Sequence, residues 1–263
     1  MSKPKILCLH GFGESGELFK IRSRNFRRIV EDHAELVYLD GHLDIANLHL
    51  TAADLDRDNS IHTDFTNLAW WWARKSKTTE YRGMEKAFLQ IGKVLNEQGP
   101  FDGILAFSQG ACLGIIISAL LDGRSRDGGS EFGIEVNHPP IKFMVLAGAF
   151  LINDPGYQFL YSKKLNIPSF HMSGEYDTVI SRSEAHAANN VFVDPVVFDF
   201  VGGHYIPQTP QCNRAMAEFV APFIPGVQLI PQPVAQTAAE MDVTPSSNTS
   251  SLEQKLVVES TSA

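Results

Sequence analysis

The sequence is poor in cysteine and in positive charge, and each shortage excludes a class of protein. Its three cysteines are widely spaced and form no C-x-x-C pair, which argues against a disulfide-stapled domain and against a zinc ribbon. Lys and Arg together number 22 against 30 Asp and Glu, which gives a formal net charge of −8. Nucleic-acid binders need a basic face to displace the counterions of phosphates, so we predict no nucleic-acid partner.

Long apolar runs are also missing. No run approaches the roughly 20 residues that a membrane-spanning helix needs, so no membrane partner is predicted. The run Ile6-Leu7-Cys8-Leu9 is too short for the core of a signal peptide and has no small-residue cleavage site after it, so we expect a reduced, cytoplasmic protein. His42, His49 and His62 lack the spacing of metal ligands and are predicted to be surface histidines, so no metal is expected.

The 263 residues, 44% of them hydrophobic, are enough for a domain with a sizeable core, in which short apolar runs alternate with amphipathic stretches. The predicted strands are Lys5–Leu9, Leu36–Leu39, Gly103–Phe107, Phe143–Leu146, Ser169–Met172 and Val196–Phe200. The predicted helices are Tyr81–Gln98, Gln109–Leu121, Ser181–Ala188 and Gln211–Phe223. Several strands are apolar on both faces, which is typical of a sheet covered on both sides. The pattern predicts an α/β fold with a doubly wound, mostly parallel sheet and helices on both faces.

Three segments fall outside this alternation. Residues 41–80 are polar and contain Trp70-Trp71-Trp72, and residues 122–140 are rich in Gly, Asp and Pro. Both are predicted to be long loops or insertions in a folded domain of residues 1–226. We predict that the tryptophans anchor the first loop, with an aromatic pocket wall as the alternative. Residues 227–263 have no aromatic residue and many Ser and Thr, which predicts a disordered tail.

One strand-to-helix junction carries a pattern of its own, Ala106-Phe107-Ser108-Gln109-Gly110. A serine flanked two residues away by small residues, between a strand and a helix, is typical of a nucleophile elbow. Ser108 is therefore predicted to be a nucleophile, and the backbone N–H of Gln109 an oxyanion-hole donor. The alternative is an ordinary turn with a capping serine.

Two further residues follow Ser108 in the order that serine hydrolases of this type require, which is serine, acid, histidine. Asp177 comes after the strand Ser169–Met172, and His204 after the strand Val196–Phe200. Both stand at the carboxyl ends of predicted strands, where open α/β sheets collect functional groups. We predict that His204 is the general base and acid and that Asp177 orients it. Three other acids are weaker candidates because of their positions within or next to strands: Asp194, Asp199 and Glu175.

The turn after the first strand, which begins His10-Gly11-Phe12, allows two interpretations. A turn of this kind supplies the second oxyanion donor in such hydrolases, here the backbone N–H of Phe12. The same turn spells Gly11-x-Gly13-x-x-Gly16, with Asp40 further on, which is the fingerprint of a nicotinamide-dependent oxidoreductase. The bulky His10 disfavours that alternative, which also leaves Ser108 and its partners unexplained. A catalytically idle interaction module is the other alternative.

With these motifs in place, the chain resembles the FSH-type serine hydrolases of the α/β-hydrolase superfamily over residues 3–225. Ala106 departs from the glycine that is usual at its position. The resemblance implies hydrolysis of an ester or thioester through an acyl-enzyme intermediate, without a cofactor. It also implies a small-molecule acyl substrate, free or bound to a carrier protein, and a role in releasing or trimming polyketides in fungal secondary metabolism. It makes no prediction of oligomeric state.

Overall fold

The computed structural model describes residues 2–45, 66–75 and 79–231. Residues up to Ile230 belong to one compact unit. Val227, at the start of the predicted tail, packs against the core, and the tail beyond Pro231 lies outside the described residues. In the part of the chain that the structure describes, no helix has the length and apolar character needed to cross a membrane.

A six-stranded sheet forms the centre of the molecule, and every neighbouring pair of its strands is parallel. Its strands are β1 (Lys5–Leu9), β2 (Glu35–Leu39), β7 (Gly103–Phe107), β8 (Phe143–Ala147), β9 (Ser169–Gly174) and β10 (Val196–Phe200), in the spatial order β10-β9-β8-β7-β1-β2. All six were predicted from the sequence, and the α/β, doubly wound fold is thereby confirmed.

Helices cover both faces of the sheet. They are α1 (Gly16–Arg22), α2 (Arg24–Val30), α3 (Met84–Gln98), α4 (Gln109–Leu121), α5 (Arg182–Asn190) and α6 (Pro210–Val220), with a 3₁₀-helix at Pro155–Tyr161. Alternate residues of β1, β7 and β8 enter different hydrophobic clusters: Leu7 packs in the cluster with α3 and α4, whereas Ile6 packs in the cluster with α1, α2 and α6. This alternation is the period-two pattern of a strand buried on both faces.

The segment 41–80 is less irregular than predicted. Its described residues include β3 (Leu43–Asp44), β4 (Leu68–Ala69), β5 (Trp72–Lys75) and β6 (Thr79–Arg82), with β3 pairing β4 and β5 pairing β6, both antiparallel. These strands have two to four residues, too few to show an alternating pattern in a polar sequence. Residues 122–140, in contrast, contain no helix or strand.

The order of the sheet places a crevice beside β1. The chain runs from β1 outward to β2 and then returns, so that β7 pairs with the other side of β1. Connections that leave adjacent parallel strands in opposite directions open a crevice at their carboxyl ends, where ligands of open α/β sheets bind. The turns after β1 and β7 meet at this point.

Candidate active site

Ser108 occupies the sharp turn between β7 and α4. Its backbone has φ 50° and ψ −117°, outside the regions that residues other than glycine favour. The Ser108 N–H donates to the Ala147 carbonyl oxygen at 2.8 Å, which ties the strained turn to the neighbouring strand β8. This geometry is that of the predicted nucleophile elbow, and it is not that of an ordinary capping serine, because the Ser108 side chain makes no capping hydrogen bond to α4.

The structure brings together the three residues that the sequence singled out. The Ser108 hydroxyl lies 2.8 Å from Nε2 of His204, and Nδ1 of His204 lies 2.7 Å from Oδ2 of Asp177. Because the carboxylate can only accept, Nδ1 carries the ring proton and Nε2 accepts the proton of the hydroxyl. The three side chains form one continuous relay of hydrogen bonds although they are far apart in sequence.

Asp177 is held so that only one of its oxygens faces His204. Its other oxygen, Oδ1, accepts from the backbone N–H groups of Val179 at 2.9 Å and Ile180 at 2.8 Å. Burial acts to raise the pKa of Asp177, but the hydrogen bond with His204 and these backbone donors outweigh it, so the pKa lies below the ordinary value. Asp177 is therefore a carboxylate at neutral pH, as a residue that stabilises an imidazolium must be.

The other acids are placed elsewhere. Asp199 is exposed and lies 3.8 Å from the guanidinium of Arg182. Asp194 has a positive φ of 47°, in the turn before β10. Glu175 is exposed, and its backbone N–H donates to the Phe200 carbonyl oxygen at the end of β10. The structure thus connects His204 to Asp177 among the candidate acids.

His204 is packed as well as hydrogen-bonded. Its ring centroid lies 4.8 Å from that of Phe107, the residue before the candidate nucleophile. On another side it lies against Gly148, which has φ 57° and where a Cβ atom would come within 2.8 Å of the imidazole. Any other residue at Gly148 would be strained and would push the ring, so this glycine positions the histidine. The sequence analysis missed it because nothing in the local pattern marks it.

Gln109 and Phe12, the two predicted oxyanion donors, lie at the ends of β7 and β1, which pair with each other. Within the described residues, neither backbone N–H has a hydrogen-bond partner. The Gln109 side chain is buried, accepting from the Trp70 backbone N–H and donating to the Trp71 carbonyl oxygen, each at 2.9 Å. The side-chain amide of Gln109 thereby holds the start of α4 in place. The backbone N–H groups of Gln109 and Phe12 remain available to bind an oxyanion.

Two residues that the sequence analysis did not assign, Glu14 and His10, hold the turn that contains Phe12. The buried Glu14 carboxylate accepts from the Gly11 N–H at 3.0 Å and pairs with the Arg22 guanidinium. Burial raises the pKa of Glu14, an effect that Arg22 opposes. Nε2 of the buried His10 accepts from the Gly41 N–H at 2.8 Å, and its Nδ1 donates to the Gly11 carbonyl oxygen at 2.7 Å. The only sequence signal for a role of these two residues in the site is that they lie within three positions of Gly11.

The three adjacent tryptophans do not all have the same role, since two are buried and one borders the candidate site. Trp70 and Trp71 are fully buried, and Trp70 stacks on His10 and donates from its indole N–H to the His10 carbonyl oxygen at 2.9 Å. They are anchors of the loop, as predicted. Trp72 is half-buried, and its ring lies 5.6 Å from that of Phe12, so one tryptophan borders the candidate site.

The residues of the predicted dinucleotide fingerprint contact other parts of the protein. Oδ1 of Asp40 accepts from the Gly16 N–H at 2.7 Å and so closes the start of α1. Gly11 lies against Phe107, whose ring carbon is 2.9 Å from the place of a Cβ atom. The glycines and the acid therefore hold the turn beside Ser108.

The histidines predicted to lie on the surface do not all do so. Both ring nitrogens of His42 are buried without a hydrogen-bond partner among the described residues, and the ring lies against Gly83 at the start of α3. His49 and His62 lie outside the described residues. Across residues 2–45, 66–75 and 79–231, no three His, Cys, Asp or Glu side chains are grouped as metal ligands.

Stability should fall in mild acid because two histidines are buried in the neutral form. Burial lowers the pKa of His10 and of His171 to about 4. A histidine whose pKa is lower in the folded than in the unfolded state stabilises the fold above the unfolded pKa of about 6.5 and loses that contribution as the pH falls below it. For each of the two histidines, we expect the unfolding free energy to fall by about 2 kcal/mol when the pH is lowered from 7.5 to 5.

Urea denaturation at the two pH values measures this loss, and His171→Leu should make the unfolding free energy less dependent on pH over the same interval. An unfolding free energy that is unchanged or higher at pH 5 would contradict the assignment of these histidines as neutral.

The chain is similar to known hydrolases. The model of a family described as serine hydrolase (FSH1) matches residues 1–216. The esterase OVCA2 of Bos taurus is 29% identical over 83% of this chain and 96% of its own. A Schizosaccharomyces pombe protein named dihydrofolate reductase is 28% identical over 84% of this chain, but the chain spans about half of that relative, 48%.

Among solved structures, acyl-protein thioesterase 2 of Zea mays matches with a TM-score of 0.53 and 17% identity, over 83% of this chain and 95% of its own. At that identity the likeness concerns the fold, which is that of the α/β-hydrolases. The family match covers most of the chain and includes the turns that carry Phe12, Ser108, Asp177 and His204. The chain belongs to the serine hydrolase (FSH1) family.

Proposed function

We propose that this protein hydrolyses esters or thioesters through an acyl-enzyme intermediate formed on Ser108. The observation that carries the proposal is the unbroken relay from Ser108 to His204 at 2.8 Å and from His204 to Asp177 at 2.7 Å. A nucleophile needs a base within hydrogen-bonding distance, and the base needs a group that fixes its tautomer. Family membership supports the same chemistry.

The proposed reaction proceeds in two steps. Ser108 Oγ attacks the acyl carbon while its proton passes to Nε2 of His204, and the Phe12 and Gln109 N–H groups bind the oxyanion. The bond from the acyl carbon to the leaving oxygen or sulfur then breaks, and His204 returns the proton to the leaving group. Water, deprotonated by His204, attacks the acyl-enzyme in the second step, and Ser108 recovers its proton.

The proposed substrate is a small-molecule acyl ester or thioester, free or bound to a carrier protein. Because the motifs resemble those of the FSH-type hydrolases, we extend the proposal to the release or trimming of a polyketide or acyl product in fungal secondary metabolism. The proposed location is the cytoplasm. A structural relative, acyl-protein thioesterase 2 of Zea mays, supports the thioester part of this proposal. A panel of acyl esters and thioesters of varied chain length would rank these substrates.

Labelling with a fluorophosphonate probe tests the proposal directly. The wild-type chain should be labelled, Ser108→Ala should not be labelled, and Ser118→Ala should be labelled like the wild type, because Ser118 lies buried in α4 against the Met144 sulfur. Labelling that persists in Ser108→Ala would remove Ser108 from the mechanism. A wild-type chain that the probe does not label would favour the idle interaction module.

A further inference from the structure

A groove of about 440 Å³ opens next to His204, between the His204 loop and the junction of α1 and α2. His204 and Phe107 line it, and Ile21 and Tyr205, each about half exposed, contribute apolar walls. The guanidinium-bearing side chains of Arg22 and Arg24 also line it. The relay of hydrogen bonds described above does not use this groove.

The two arginines make the groove cationic in a protein with a net charge of −8. Arg22 pairs with the buried carboxylate of Glu14, so its charge is largely balanced. Arg24 is exposed, and within the described residues it has no ion pair. No Asp or Glu side chain lines the groove. Arg24 is therefore the cation that this groove offers to a ligand.

The position of the groove indicates which part of a substrate would occupy it. In the proposed reaction Nε2 of His204 takes the Ser108 proton and then gives it to the leaving group, so the leaving group must lie beside the imidazole. His204 and Arg24 both line this groove. A leaving group with a short apolar or amide stem would follow the walls and place its far end near the guanidinium.

We propose that this groove binds the leaving group of the substrate and that Arg24 recognises a carboxylate or phosphate at its far end. This inference rests on the proposed function, because it needs His204 to face the leaving group. Guanidinium groups bind both anions through paired N–H donors. Arg24 is exposed to solvent, so the gain in kcat/KM should be modest, about 5- to 10-fold, and should shrink as salt is added.

Pairs of thioesters, one member anionic and the other neutral, provide the test. The full chain is assayed with butanoyl thioesters of mercaptopropionate and mercaptopropionamide, and with those of phosphopantetheine and pantetheine. The wild type should prefer the anionic member of at least one pair, chiefly through a lower KM, and the preferred pair distinguishes carboxylate from phosphate. Arg24→Gln should abolish the preference and Arg24→Glu should reverse it. Arg28→Gln, at an exposed position of the same helix outside the groove, should retain it.

Equal kcat/KM values within both pairs, or a preference that survives in Arg24→Glu, would overturn the inference. If none of the four thioesters is hydrolysed, the four free thiols are compared for their ability to protect Ser108 from labelling by the fluorophosphonate. The anionic thiol of the preferred pair should protect better than the neutral one, and equal protection would overturn the inference. If the fluorophosphonate labels the protein but the anionic and neutral compounds behave alike, only the inference about the groove is contradicted. A protein that it does not label contradicts the proposed function as well.

Discussion

Replacing His204 by alanine is expected to lower kcat for the hydrolysis of an acyl ester by about 10⁵-fold or more. His204 is the only side chain that contacts both Ser108, at 2.8 Å, and Asp177, at 2.7 Å, among the described residues. Without it the Ser108 hydroxyl has no base, and the leaving group has no acid. Residues that act as a unit lose nearly all of their joint effect when one is removed, so the remaining rate should come from substrate binding and the oxyanion donors.

The measurement is the hydrolysis of p-nitrophenyl butyrate by the wild type and by His204→Ala, with thermal unfolding of both to establish that the variant is folded. His186→Ala is the matched control, because His186 is exposed on α5 and bonds only to Asn190 among the described residues. It should keep the wild-type rate. A folded His204→Ala protein within about tenfold of the wild-type rate would exclude His204 as the general base.

The positions of the three candidate catalytic residues could be predicted from the sequence because the sheet is parallel. Ser108, Asp177 and His204 each follow a short apolar strand, and the carboxyl ends of parallel strands meet at one edge of the sheet. Once β7, β9 and β10 are recognised, no further contact has to be known to place these side chains near one another. Their order along the chain then distinguishes them from other polar loop residues.

The residues that support the site could not be predicted in this way. The role of Glu14 depends on its burial beside Arg22, and the role of Gly148 on the approach of an imidazole from a loop 56 positions away. Such contacts join segments that are distant in sequence, and neither residue belongs to a local pattern. Helices α1 and α2 were missed for a different reason, since seven residues each are too few to show a helical period.

The close packing of α4 on β1 leads to the second large effect, expected at Gly110. A Cβ atom at this position would lie 2.5 Å from the carbonyl oxygen of His10 and closer still to that of Leu9. Both are backbone atoms at the end of β1, next to the turn that holds Phe12, and they cannot move aside as a flexible side chain can. Gly110→Ala must therefore displace the start of α4, which carries Ser108 and the Gln109 N–H.

Gly110→Ala is expected to lower the unfolding free energy by about 3 kcal/mol or more, since overpacking of a tight interior typically costs 1–3 kcal/mol and backbone atoms yield least. A displacement of even 1 Å at Ser108 should also lower kcat by about 100-fold. Gly114→Ala in the same helix is the control, because its Cβ atom would meet side-chain methyl groups, those of Ile104 and Met144 at 3.2 Å and that of Leu146 at 3.7 Å. Those groups can shift, and alanine favours the helix, so the control should stay within about 1 kcal/mol of the wild type. Urea denaturation and p-nitrophenyl butyrate hydrolysis measure the two effects. If Gly110→Ala unfolds and reacts like Gly114→Ala, then α4 is free to move against β1, and the placement of Ser108 does not depend on this contact.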